Sequence, residues 1–122
     1  MREILFKAKR LDNGEWVEGD LLHTRHADVV LISDFKDQLF RCDGNTLCQY
    51  TGLTDKNGQK IWENDIAYIR SSGLSGYGVI KYENGNLVLV DSKRKRTYSL
   101  YGEWKIRKDG NIFDNAELLE VE

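Results

Sequence analysis

The sequence predicts a mainly β chain, and three observations carry that expectation. Glycine-centred turn signals recur along its whole length: "DNGE" at 12–15, "CDGN" at 42–45, "DKNG" at 55–58, "YENGN" at 82–86 and "KDGN" at 108–111. The segments between them are short and apolar, the spacing of an all-β domain. No long amphipathic helical pattern occurs, and proline is absent, so nothing resembles a rigid linker.

Taken in order, Ile4, Phe6 and Ala8 alternate with Leu5, Lys7 and Lys9, the period of a half-buried strand. Residues 16–22 return against it across Asn13-Gly14. "DVVLIS" (28–33) is a continuous apolar run, which predicts burial on both faces. In the opaque stretch "QYTGLTDKNGQKIWENDI" (49–66), the reading is a two-residue hairpin turn at Lys56-Asn57-Gly58-Gln59 joining "GLTDK" to "QKIW". A second tight turn at Glu63-Asn64-Asp65 then feeds a strand from Ile66. Asparagine tolerates the left-handed region better than any residue but glycine, so Asn64 is expected at positive φ. Glu18-Gly19-Asp20-Leu21 repeats the pattern with glycine in the matching place. Strands follow at 65–70, 77–82, 86–91 and 97–101, with Asn84-Gly85 suited to a type I′ turn. One or two helical turns are expected at "DNAELLE" (114–120), with Asp114 as cap and Glu117 three residues on.

Composition narrows the function classes. At 122 residues the chain makes one domain, or two small β modules sharing a core. No apolar run reaches the 18 or so residues of a membrane span. "MREILFKAKR" has no secretory pattern, and Cys42 and Cys48 make no disulfide framework, so a cytoplasmic protein with free thiols is expected. The net charge is −2, which is no whole-domain nucleic-acid footprint. Locally the balance differs: 93–108 holds seven basic groups and one acidic, while 109–122 holds five acidic and none basic.

Each candidate chemistry competes with a reading as turn geometry. Asp55, Asn57 and Glu63 fall in calcium-loop order, but the glycine is misplaced. His23, His26, Cys42 and Cys48 number four zinc ligands at spacings that do not fit a structural site. "GLSGYG" (73–78) has Tyr77 where a nucleophile elbow needs glycine, and reads as a mobile β connection. No catalytic, cofactor or metal residue is therefore expected. Asn57, Gly58, Asn64 and Asp65 are structural turn residues. The remaining candidate is Lys93, Arg94, Lys95 and Arg96, followed by Tyr98, Tyr101 and Trp104: basic groups meet phosphates and aromatics stack on bases. The competing reading is a solvated hairpin tip whose charge keeps a sheet edge unpaired. The acidic tail would also neutralise the patch.

"QYTGLTDKNGQKIWENDI", with "REILFKAKRLDNGEWVEGDL" before it and "GNIFDNAELLE" after it, resembles the YopX family of phage and prophage proteins over nearly the whole chain. Asn64 stands where the family pattern usually reads glycine, and Ala116 where it often reads proline. The resemblance implies an N-terminal β-hairpin and sheet region (1–60) followed by an SH3-like β-barrel or roll (61–122), unless the two form one continuous domain. It implies synthesis in the cytoplasm of a bacterial host and brings no established activity and no catalytic residues. The expected function is a non-enzymatic accessory β module that binds a phage or host protein and assembles with itself as a homo-oligomer, away from membranes. The alternatives are a nucleic-acid-binding module using the 93–96 loop, and an unidentified hydrolase-like enzyme.

Overall fold

The computed structural model describes residues 4–26 and 28–120, and the chain divides into two compact units, Met1–Gly52 and Leu53–Glu122. Among the described residues every regular element is a β-strand, apart from a single 3-10 turn.

In the first unit, β1 (Phe6–Arg10), β2 (Trp16–His23), β3 (Val29–Ser33) and the long β4 (Leu39–Thr54) pair antiparallel in succession. β4 then pairs back onto β1, from Arg10↔Cys42 to Phe6↔Gln49, and closes the four strands into a barrel. Closure leaves these strands without a free edge over the paired residues. "CDGN" is therefore not a turn, as the sequence predicted, but an irregularity within β4. There the register shifts against Lys7 and Lys9. Thr46 stabilises the kink: its Oγ1 accepts from the Lys9 amide at 2.8 Å and donates to the Asp43 carbonyl at 2.7 Å. Ala8, Val17, Val30, Ile32 and Cys42 form the core. β3 buries only Val30 and Ile32, so it is half-buried rather than buried on both faces.

Gly19 also differs from expectation. It lies inside β2 without positive φ, and a Cβ there would sit 1.9 Å from the Ser33 carbonyl oxygen. Its smallness serves a close strand approach, so it is not the counterpart of Asn64.

The second unit contains β5 (Lys60–Trp62), β6 (Asp65–Ser71), β7 (Leu74–Glu83), β8 (Asn86–Asp91), β9 (Arg96–Ser99) and β10 (Lys105–Asn111). Five of them form an antiparallel sheet in the order β10-β6-β7-β8-β9, the strand order of an SH3-like roll. Ile61, Ala67, Ile69, Ile80, Leu87, Leu89, Leu100 and Ile106 fill its core. Asn84 and Gly85 have φ of 52° and 80°, as a type I′ turn requires. Ser72 and Gly73 (46° and 86°) make another turn between β6 and β7. "GLSGYG" is thus a tight turn running into a strand, and not a mobile connection.

Two other turn assignments change. The loop after β4 closes on Asp55 and Gln59, leaving three residues between them instead of two, with Gly58 at φ +80°. Asp55 Oδ1 accepts from the Asn57 and Gln59 amides at 2.8 and 2.9 Å. "KDGN" lies within β10, where Asp109 is the extra residue of a β-bulge between Lys108↔Ala67 and Gly110↔Ile66.

Asn64 has φ +73° between β5 and β6. Its amide donates to the Ile80 carbonyl at 2.7 Å, and its carbonyl accepts from the Ile112 amide at 3.1 Å. Asn64→Gly is expected to be neutral or mildly stabilising in thermal unfolding. Asn64→Val is expected to cost about 1–3 kcal/mol of backbone strain.

After β10 the chain is tied down by its asparagines. Asn111 Oδ1 accepts from the amides of Phe113 and Asp114, both at 2.9 Å, and Asn115 Oδ1 accepts from the Asn111 amide at 3.2 Å. The 3-10 turn Ala116–Leu119 follows, with Asn115 at its N-cap and no side-chain capping bond. Asp114 is not the cap; its Oδ2 accepts from Asn111 Nδ2 instead.

Candidate functional site

The basic run occupies the connection from β8 to β9. Lys93, Arg94, Lys95 and Arg96 are all exposed, and Lys95 takes φ +54° to turn the chain. None of the four makes an ion pair among the described residues. Glu122, the last member of the acidic tail, lies outside the described residues. The loop is shaped from below by Asp91, which ends β8 at 4% exposure and whose Oδ1 accepts from the Arg94 amide at 3.1 Å.

The aromatics behind the loop are largely committed. Tyr98 packs against the core of the second unit, and its hydroxyl donates to the Ser75 carbonyl at 3.0 Å. Trp104 meets it edge-on with ring centres 6.1 Å apart and donates from Nε1 to the Ser99 carbonyl. Tyr101 is exposed, with its hydroxyl hydrogen-bonded to Asn86. Of the three aromatics, Tyr98 and Trp104 are thus held by packing and hydrogen bonds, and Tyr101 is the exposed one.

Beside this loop lies a cavity of about 380 Å³, lined on the sheet by Gly78, Val79 and Val90. Half-buried Leu118 and Leu119 line one part, placed by the asparagine turn that follows β10. Tyr77, Asp109 and Arg107 line another. Arg107 and Asp109 form a two-point ion pair, Nε–Oδ1 at 2.9 Å and Nη2–Oδ2 at 3.2 Å, and the guanidinium sits 5.1 Å from the Tyr68 ring centre. That pairing raises the Arg107 pKa. Burial pushes the Tyr77 phenol up, and the neighbouring Asp109 carboxylate adds to the effect through its charge and a hydrogen bond, so Tyr77 stays a neutral donor. Asp91, Ser92 and Lys93 complete the polar lining.

Of these residues, the sequence had marked Lys93 as a candidate and Tyr77 only as the residue that breaks a nucleophile elbow. Arg107 and Asp109 carried a signal, being two apart on a strand and of opposite charge. Asp91 and Tyr77 carried none.

The other predicted residues stand in structural roles. Asn57, Gly58, Asn64 and Asp65 build turns, and the fully buried Asp65 accepts from the Trp62 amide at 2.7 Å while lying 3.3 Å from Lys108 Nζ. Cys42 and Cys48 are buried thiols. Burial raises the Cys42 pKa, which keeps it a neutral thiol.

The architecture defines an all-β protein of two small units, the second an SH3-like roll with a side cavity and a basic hairpin tip. A family model described as YopX protein matches residues 5–120, and the chain belongs to that family. The crystal structure of protein yopX from Bacillus subtilis is similar in fold, with a TM-score of 0.57 and 18% identity over 94% of this chain and 97% of that one. No curated protein matches.

Proposed function

We propose that this chain is a non-enzymatic accessory module of phage or prophage origin, acting in the bacterial cytoplasm by protein binding and self-association. The observation that carries this reading is the outer face of the first barrel. Leu22 pairs with Leu31 and Leu31 with Arg41, while Asp20 pairs with Ser33 and Ser33 with Leu39. These two adjacent rows alternate with the inward Val30, Ile32 and Cys42, so they point outward. Leu22 is 47% and Leu39 55% exposed, and the exposed Asp20 and Arg41 flank them. An apolar centre bordered by one acid and one base is self-complementary about a two-fold axis, the commonest symmetry of homo-oligomers.

The committed state of several carboxylates supports a binding role over catalysis. Asp55 holds turn amides, Asp65 faces Lys108, and Asp109 is paired with Arg107. Among the described residues no helix is long and apolar enough to cross a membrane.

Light scattering at micromolar concentration is expected to give a multiple of 14.1 kDa. Leu22→Lys with Leu39→Lys is expected to return the mass to one chain. A parent protein of 14.1 kDa would refute the reading. The exposed loop at 93–96 favours nucleic-acid binding as the second reading. Salt-sensitive DNA or RNA binding lost in Lys93→Ala/Arg94→Ala would establish it.

A further inference from the structure

We infer that the cavity between the β8–β9 loop and the 3-10 turn is a receptor for an aliphatic chain ending in a cation, such as a lysine or arginine side chain. This site is separate from the leucine face of the first barrel and stands independently of self-association.

Size and lining set the class of ligand. At about 380 Å³ the cavity falls within the roughly 300–1,000 Å³ of small-ligand sites. It is too small for a folded element and ample for one extended side chain. Leu118, Leu119 and Val90 supply apolar surface against which a methylene stem packs.

Charge decides what terminates the stem. Four charged groups line the site, and two cancel: Arg107 and Asp109 are locked in their two-point ion pair. Asp91 and Lys93 remain. Lys93 is exposed on a loop tip, where water screens its charge and its flexible stem can swing clear. Asp91 is 4% exposed, and the amide of Arg94 is hydrogen-bonded only to its Oδ1. A carboxylate at that depth acts through a lower effective dielectric than a surface ammonium does, so its field dominates the interior. A buried charge demands a partner. An entering ammonium or guanidinium supplies one through charge-assisted hydrogen bonds.

The fold maintains this geometry through elements that otherwise look merely structural. Gly78 keeps the sheet side of the cavity flat, because a Cβ there would meet the Val90 carbonyl oxygen at 2.0 Å. Gly110 leaves room for Asn115, whose Oδ1 a Cβ would approach to 2.4 Å, and Asn115 anchors the turn that carries Leu118 and Leu119. Asn64 holds the start of that segment through the Ile112 amide. Two of the segments that carry the family resemblance, 49–66 and 110–120, thus supply Asn64, Gly110 and Asn115 to the hold on these leucines.

The test is titration of the full chain, followed by NMR, with acetyl-lysine amide, acetyl-arginine amide, acetyl-norleucine amide and inorganic phosphate. Saturable shifts of the Ser92, Leu118 and Leu119 amides are expected with both cationic probes. Norleucine, which keeps the stem and lacks the charge, is expected to bind at least about tenfold more weakly. Asp91→Asn retains an oxygen to accept from the Arg94 amide, and is expected to stay folded while losing the preference for lysine over norleucine. Leu119→Ala, outside the sheet, is expected to weaken both probes together. Putrescine serves as a separate arm. Stronger binding of putrescine than of the lysine amide identifies a free polyamine as the source, and the reverse identifies a peptide. Equal binding of lysine and norleucine amides by the parent protein would overturn the inference even if Asp91→Asn failed to fold. Phosphate shifting the same amides more strongly than lysine would overturn it as well, and would give the site to Lys93.

Discussion

Gly78→Ala is expected to cost about 3 kcal/mol or more, read as a drop in the urea midpoint or the melting temperature. A Cβ at this position would lie 2.0 Å from the Val90 carbonyl oxygen, 2.6 Å from its carbon and 3.0 Å from the Asp91 Cα. All three are backbone atoms of the adjacent strand β8, so no side-chain rotation relieves the clash. The strands must part where Val79 pairs with Val90, beside the fully buried Ile80 and Leu89. Overpacking of cores costs about 1–3 kcal/mol when side chains can adjust, and a rigid neighbour puts this variant at or beyond the top of that range. Gly58→Ala is the control. That glycine has φ +80°, and an added methyl would meet nothing within 4 Å, so only the left-handed backbone term of about 1–2 kcal/mol applies. Equal losses in the two variants would show that β8 yields more easily than its packing implies.

Lys108→Met is expected to cost about 3–5 kcal/mol, the penalty for removing one partner of a buried ion pair. Asp65 has no exposed surface, and Lys108 Nζ lies 3.3 Å from its Oδ2 while donating to the Lys60 carbonyl at 3.4 Å. The Asp65 carboxylate also accepts from the Trp62 amide, so it ties the β5–β6 turn to β10. Methionine keeps the stem and removes the charge, which isolates the electrostatic contribution. Adding Asp65→Asn to Lys108→Met is expected to recover part of the loss, because the double variant buries no charge at this place. Chemical denaturation of the four proteins of this cycle checks both statements. A single variant within about 0.5 kcal/mol of the parent, the range of ordinary surface substitutions, would mean that solvent already reaches Asp65.

The strands were legible because local chemistry writes them. The Asn84-Gly85 turn and the apolar runs of β6, β7 and β8 each depend on neighbours within a few residues, and the structure places strands there. At 4–9 only the strand was legible and not its faces: β1 begins at Phe6, Leu5 and Lys7 are buried with Ala8, and Ile4 is exposed. The basic run was legible for the same reason, since exposure of four consecutive cations follows from their own hydration. The family was legible from the order of its segments.

The sequence by itself therefore determined a β chain, its main hairpins and its charged tip. Tertiary structure decided what the glycines and carboxylates are for. Asp-Gly at 43–44 and 109–110 has the composition of a turn, yet both lie within strands, because pairing with β1 and β6 absorbs the extra residues as irregularities. Gly19 and Asn64 occupy matching sequence patterns, but one is small to clear Ser33 and the other is left-handed to reverse the chain. Closure of β1 onto β4 joins residues more than thirty positions apart, as in the Arg10↔Cys42 and Phe6↔Gln49 pairs. The cavity draws on five segments, β7, β8, the β8–β9 connection, β10 and the final turn. Such contacts form only when packing repays the entropy of closing long loops, and no local pattern of residues encodes that balance.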